Sequence, residues 1–269
     1  VVEKGPADAR PLVLLHGITL AARVWGYQLR DLSDRYRVVA VDLRGHGLSK
    51  AGDEGFGLHL LAEDLRTVLE TLDLRDAIVV GHSMGGMTLM RFCGDHPEIL
   101  TERVAGVIFL ATAPIVPLPL AVQRAMRVLT PAMTRIAERR GYDRMPRYPM
   151  DRGDLPYVLS RRAFGRNPSH THIELTRQLV ADTPQATTFP SGLGLVTHDA
   201  EEALQATKTP AMVIGGELDN ITPVAMSHRI AHLLDDCELH ILADAGHQLM
   251  LERPDELAEL VDKFAARLS

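Results

Sequence analysis

Short runs of consecutive apolar residues alternate with amphipathic stretches over the first 113 positions. Pro11-Leu12-Val13-Leu14-Leu15 ends at His16-Gly17 and reads as a buried strand. Tyr36 to Asp42, Ala77 to Val80 and Val104 to Leu110 are further runs of the same kind. Between them, Trp25 to Leu32 predicts a helix. Leu58 to Leu72 predicts another, because Leu58, Leu61, Leu65, Val68, Leu69 and Leu72 recur at three- and four-residue spacing. Ser83 to Asp95 is helical in pattern and is stopped by His96-Pro97. Strands that are apolar throughout predict a parallel sheet covered on both faces.

The rhythm breaks from Pro114 to Lys208, a stretch rich in Pro, Met and Arg. Ala121 to Ile136 and Ile173 to Ala181 are helical candidates within it. The strand pattern resumes at Pro210 to Gly216 and at Cys237 to Leu242, and Pro254 to Leu268 predicts a closing helix. The simplest architecture is an α/β fold, a mostly parallel sheet flanked by helices. Residues 1–113 and 209–269 would form the core. Residues 114–208 would be an inserted, mostly helical cap over the C-terminal edge of the sheet, where such folds place their sites.

Composition narrows the function classes. A chain of 269 residues with 46% hydrophobic and 24% charged residues fits a globular protein and not a disordered one. The net charge is −6 and basic residues are scattered, apart from the Arg135 to Arg147 region, so no nucleic-acid footprint is expected. Cys93 and Cys237 lack metal-ligand spacing, and function should not depend on a disulfide. Cys93 reads as a small buried hydrophobe on the helix after Ser83. No apolar run reaches roughly 18 residues and no signal peptide is visible, so stable membrane insertion is not expected and a cytoplasmic location is.

Gly81-His82-Ser83-Met84-Gly85 follows the Ala77 to Val80 strand directly. Small neighbours permit a sharp strand-to-helix turn that presents a serine hydroxyl at a helix N-terminus. Serine is a weak nucleophile unaided and requires a base and an orienting acid. His247, on the loop after the Cys237 to Leu242 strand, suits proton transfer near neutrality. Asp219, after the Pro210 to Gly216 strand, suits the acid role, with Glu217 and Asp244 as rival carboxylates. Gly17 lets the backbone turn toward the site, so the N–H groups of Ile18 and Met84 could form an oxyanion hole. Asp42 to Ser49 reads as a scaffold loop in which Asp42 pairs with Arg44 and His46 bonds to backbone. Neither a phosphate-binding Gly-rich loop ending in Lys-Ser or Lys-Thr nor a zinc-binding pattern is present, so no cofactor or metal is expected. Trp25, Met126, Leu129, Met133, Phe164, Phe189, Leu249 and Met250 are apolar candidates for the pocket wall.

These motifs together resemble the α/β-hydrolase superfamily, in particular its cap-bearing esterase and lipase-like serine hydrolases. His16-Gly17 is similar to the family's oxyanion loop, Asp42-Leu43-Arg44-Gly45-His46-Gly47 to its structural loop, and Gly81 to Gly86 to its nucleophile elbow. Gly216-Glu217-Leu218-Asp219 and Gly246-His247 are similar to its acid and base segments. The resemblance implies cofactor-free hydrolysis of small or medium apolar carboxylic esters, or of lactones, through an acyl-enzyme. Haloalkane dehalogenases and epoxide hydrolases carry aspartate where this chain has Ser83. Carbon–carbon bond hydrolases of aromatic catabolism keep the serine but usually place a tryptophan soon after the histidine, where this chain has Gln248-Leu249-Met250. Cofactor-free haloperoxidase-like enzymes and ligand-binding receptors of the same fold are the other readings it allows.

Overall fold

A computed structural model describes residues 1–52, 55–116, 120–140 and 154–268. The strands are β1 Val2–Lys4, β2 Pro11–Leu15, β3 Arg37–Val41, β4 Ala77–His82, β5 Val104–Leu110, β6 Ala211–Gly216 and β7 Cys237–Leu242. They form one seven-stranded sheet in the order β1-β3-β2-β4-β5-β6-β7. Every neighbouring pair from β3 to β7 is parallel, whereas β1 runs antiparallel to β3. The sequence pattern predicts all of these strands except β1.

A second pattern lies hidden inside each apolar run. Successive side chains of a strand point to opposite faces, and the runs divide accordingly between two cores. Leu12, Leu14, Val38, Ala40, Ile78, Val80, Ile108 and Leu110 pack on one face with Leu257, Val261 and Phe264. Val13, Leu15, Val39, Val41, Val79, Val107 and Phe109 pack on the other with Leu61, Leu65, Leu69, Leu89 and Phe92. Full burial of each such side chain contributes about 1.5–3 kcal/mol. The covering helices include α1 Gly26–Asp31, α2 Leu58–Thr71, α3 Met84–Asp95 and α4 Pro97–Arg103. Cys93 lies buried on α3 as a small apolar residue.

Among the described residues, five helices follow between β5 and β6: α5 Leu120–Arg140, α6 Asp154–Arg161, α7 His170–Asp182, α8 Gln185–Val196 and α9 Glu201–Ala206. Ser169 caps α7 by accepting the His172 N–H at 3.1 Å. A bridge between Ile115 and Asp199 ties the two ends of this insert together. Arg144 and Arg147 of the predicted basic region lie outside the described residues. The chain closes with α10 Val224–Leu233, α11 Leu249–Glu252 and α12 Pro254–Arg267. Pro254 suits the start of α12, where its fixed φ fits and no N–H is needed, while Asp255 and Glu256 in the first turn and Arg267 in the last suit the helix dipole. Among the described residues no helix is long and apolar enough to cross a membrane.

The scaffold loop after β3 departs from expectation in one detail. Asp42 does not pair with Arg44. Its carboxylate accepts the backbone N–H groups of Ala22 at 2.7 Å and Leu48 at 3.0 Å, which pins the loop to the segment after β2. Arg44 instead makes a two-point pair with Asp64, at 2.7 and 2.9 Å.

Candidate active site

Ser83 stands between β4 and α3 with φ 52° and ψ −117°. A non-glycine residue in that region carries strain of about 1–3 kcal/mol, and its surroundings must hold it there. Three hydrogen bonds do so. Ser83 N–H donates to Leu110 O at 3.1 Å, and Ser83 O accepts from Met87 N–H at 3.0 Å and from Thr112 Oγ1 at 2.7 Å. The flanking glycines answer to close approach. A Cβ at Gly81 would sit 2.5 Å from Gly85 O, and one at Gly85 would sit 2.4 Å from Leu15 O.

His247 and Asp219 occupy loops at the C-terminal ends of β7 and β6. His247 Nδ1 lies 2.7 Å from Asp219 Oδ2. Thr222 Oγ1 donates to the same oxygen at 2.7 Å, while Asp219 Oδ1 accepts the N–H groups of Ile221 and Thr222 at 2.7 and 2.9 Å. Burial alone would raise the Asp219 carboxyl, but the His247 ring and the Thr222 donors outweigh it and hold the group below its ordinary value. An ionised Asp219 fixes the hydrogen on Nδ1 and leaves Nε2 as the basic nitrogen. The rival carboxylates are occupied elsewhere: Glu217 accepts Asp244 N–H at 2.9 Å, and Asp244 pairs with Arg166 at 2.7 Å. Ser83 and His247 line the same cavity, and among the described residues no hydrogen bond yet joins them.

Two buried histidines shape the loop opposite Ser83. Leu43 N–H donates to His16 Nε2 at 3.0 Å, and His16 Nδ1 lies 2.7 Å from Gly17 O. Thr19 N–H donates to His46 Nε2 at 3.2 Å, and His46 Nδ1 lies 3.0 Å from Arg44 O. Each ring accepts at one nitrogen and faces a carbonyl at the other, a pattern that only neutral imidazole satisfies. Burial pushes His16 down to about 3 and lowers His46 as well. The loop so held carries Ile18, whose N–H, like that of Met84, has no hydrogen-bond partner among the described residues.

Two positioning groups escaped the sequence reading. Glu252 accepts the N–H groups of Gly165 at 2.6 Å, Gly246 at 3.0 Å and Gln248 at 3.2 Å, so it clamps both sides of His247. Burial nevertheless raises its carboxyl. His247 N–H also donates to Ala163 O at 2.8 Å, and Arg166 N–H to Asp244 O at 2.9 Å. The insert is thereby sewn to the His247 loop. The second group is His82, whose Nε2 lies 2.9 Å from His247 O. The only signal for Glu252 in the sequence is an acid in the helical turn after His247. His82 offered none beyond its place in the motif.

The cavity encloses about 210 Å³ and is lined by Ile18, Leu20, Leu159, Ala163, Val180 and Ile221 on its apolar side. None of the eight apolar candidates for its wall is among the described lining residues. Trp25, Phe164, Leu249 and Met250 are buried in the core on the α12 side of the sheet. Met126 and Met133 are half-buried on α5, Leu129 is exposed there, and Phe189 is half-buried on α8. The reason is packing: α5 lies against α8, while α6 and α7 pair over the site. Among the described residues no group of three or more His, Cys, Asp or Glu is placed to hold a metal ion.

The fold that carries these residues recurs in known proteins. AB hydrolase superfamily protein YisY of Bacillus subtilis (strain 168) is 27% identical over 95% of this chain and 91% of its own. A pimeloyl-acyl-carrier-protein methyl ester esterase of Aeromonas hydrophila is 26% identical over 94% of both chains. The esterase EaEST from Exiguobacterium antarcticum superposes with a TM-score of 0.80 at 20% identity, covering 98% of this chain and 93% of its own. The model of the alpha/beta hydrolase family matches residues 12–260. A match that spans nearly the whole sheet, with the same fold in solved relatives, shows that the chain belongs to the alpha/beta hydrolase family.

Proposed function

We propose that this protein hydrolyses small carboxylic esters or lactones through an acyl-enzyme on Ser83. One observation carries the reading: a strained, post-strand serine shares a buried cavity with a histidine whose far nitrogen is engaged by an ionised aspartate. In this reading His247 Nε2 takes the Ser83 hydroxyl proton as Oγ attacks the carbonyl carbon. The resulting oxyanion receives the N–H groups of Ile18 and Met84. The carbon–oxygen bond to the alcohol breaks, and His247 returns its proton to that oxygen. Water then attacks the acyl carbon, again deprotonated by His247, and the carboxylic acid leaves Ser83 free. With a lactone the freed hydroxyl stays on the acyl group throughout, and the last step releases a single hydroxy acid.

A cavity of about 210 Å³ favours short substrates, since it is smaller than the roughly 300–1,000 Å³ of sites that take drug-sized ligands. The esterase name of the Aeromonas relative supports ester chemistry. The test is a fluorophosphonate probe followed by peptide mass mapping, with 4-nitrophenyl butanoate hydrolysis measured in parallel. Labelling is expected on Ser83 alone, and Ser83→Ala should lose both label and turnover. Labelling elsewhere, or folded protein that neither labels nor hydrolyses, would overturn the assignment.

A further inference from the structure

The wall of the cavity holds hydrogen-bonding capacity that nothing in the fold uses. Ser160 on α6, Thr176 on α7, Gln248 beside the histidine and His82 beside the serine all line it. They are 6%, 4%, 4% and 0% exposed. In each, one polar atom is buried without a partner: Ser160 Oγ, Thr176 Oγ1, Gln248 Oε1 and His82 Nδ1. Most buried polar atoms in folded proteins are paired, and leaving one unpaired opposes folding. Four residues around one small cavity thus hold polar atoms that the fold leaves unpaired, each shielded from solvent in the cavity wall, so a ligand engages them as the side chains turn toward it.

Their chemistry sets the ligand. His82 Nε2 faces the His247 carbonyl, which can only accept, so Nε2 carries the hydrogen. Burial and the neighbouring His247 hold the ring neutral, and Nδ1 is then a pure acceptor. Gln248 Oε1 is an acceptor too, while the two hydroxyls can act either way. A complementary ligand must therefore present O–H or N–H donors. It must also be neutral there, because no Lys or Arg is among the described lining residues and a carboxylate would be buried unpaired. The plain apolar ester expected from the sequence leaves all four atoms unsatisfied.

We infer that the substrate is a neutral ester or lactone bearing a hydroxyl or amide N–H donor near the reacting carbonyl, held by Ser160, Thr176, Gln248 and His82. The inference rests on the acyl-enzyme reading above and adds the substrate class. It requires no change in the bonds made or broken at Ser83.

Matched substrate pairs test it, because a methyl group replaces a hydroxyl at nearly constant size. On the acyl side these are methyl 3-hydroxybutanoate and methyl 3-methylbutanoate. On the alcohol side they are 2-hydroxyethyl butanoate and propyl butanoate. By pH-stat assay, kcat/KM should favour the hydroxyl member by about tenfold or more in at least one pair, since a site built to hydrogen-bond a group discriminates against analogues lacking it. Thr176→Val, Ser160→Ala or Gln248→Met should collapse that ratio, and monomethyl succinate should be a poor substrate. Equal or better turnover of the methyl members in both pairs would overturn the inference while leaving ester hydrolysis standing. So would a hydroxyl preference that survives all three substitutions. Should Ser83 neither label nor turn over, calorimetric binding of the same four esters to Ser83→Ala protein decides the matter. Tighter binding of a hydroxyl member supports the wall, and equal binding refutes it.

Discussion

Mild acid should destabilise this protein well before its carboxylates titrate. His16 is pushed by burial down to about 3 and His198 to about 4, and His82 lies well below its ordinary value for the same reason. In the unfolded chain each titrates near about 6.5. The unfolded state thus binds protons first, so stability is full above about pH 6.5 and is lost as pH falls toward the folded-state values. Each uncompensated proton contributes a slope of about 1.4 kcal/mol per pH unit. Between about pH 7 and pH 5 a histidine that stays neutral in the fold costs about 2 kcal/mol, so His16 and His198 together cost about 4 kcal/mol, and His82 adds in the same direction. That is comparable with the roughly 5–15 kcal/mol that stabilises a typical domain. His46 adds in the same direction. Urea unfolding followed by circular dichroism in half-unit pH steps measures the slope directly, with a constant m-value as the check on two-state behaviour. His198→Gln should remove one proton and recover about 2 kcal/mol of the loss at about pH 5. Stability constant to within about 1 kcal/mol across that window would refute the reasoning.

Glu252→Gln keeps one acceptor oxygen but turns an amide N–H₂ toward backbone donors. It should lower kcat about tenfold and leave KM nearly unchanged, with a stability loss of about 1–3 kcal/mol by thermal melting. Gly85→Ala drives a Cβ to 2.4 Å from the Leu15 carbonyl, a backbone atom that cannot swing away. We expect a loss of about 3 kcal/mol in urea unfolding. Gly192→Ala in α8, where a Cβ meets nothing within 4 Å, should instead gain about 0.5–1 kcal/mol.

What could be read from the sequence follows from range. The strands β2 to β6 were legible because burial on both faces leaves a continuous apolar run that no surface segment imitates. β1 was not, since Val2, Glu3 and Lys4 are all exposed and its identity comes from pairing with Val38, Val39 and Ala40. α8 was equally silent, being a helix built on Thr, Gly and an internal Pro190. Ser83, Asp219 and His247 stood out because each sits in a recognisable segment just after a strand, so local pattern and position agree. His82 acts on His247 across the fold, Glu252 reaches Gly165 of the insert, and Ser160 and Thr176 reach the cavity only through the packing of α6 on α7. No local pattern encodes such contacts. Met126, Leu129 and Met133 lie away from the described lining of this cavity for the same reason: amphipathic spacing says that a face is buried, not what it is buried against.

The bonds that join Ala163, Gly165 and Arg166 to the His247 loop bear on how such enzymes exchange parts. An insert between two strands invites treatment as a module, cut at residues 114 and 208 and replaced by another to alter substrate range. Here the segment from Ala163 to Arg166 supports the backbone on either side of His247. A donor graft lacking an N–H for Glu252 and a carbonyl for His247 would arrive with a new pocket and a misplaced histidine. A chimera that retains these four residues and replaces only the flanking helices separates selectivity from chemistry, and the useful crossover points lie inside the insert rather than at its ends.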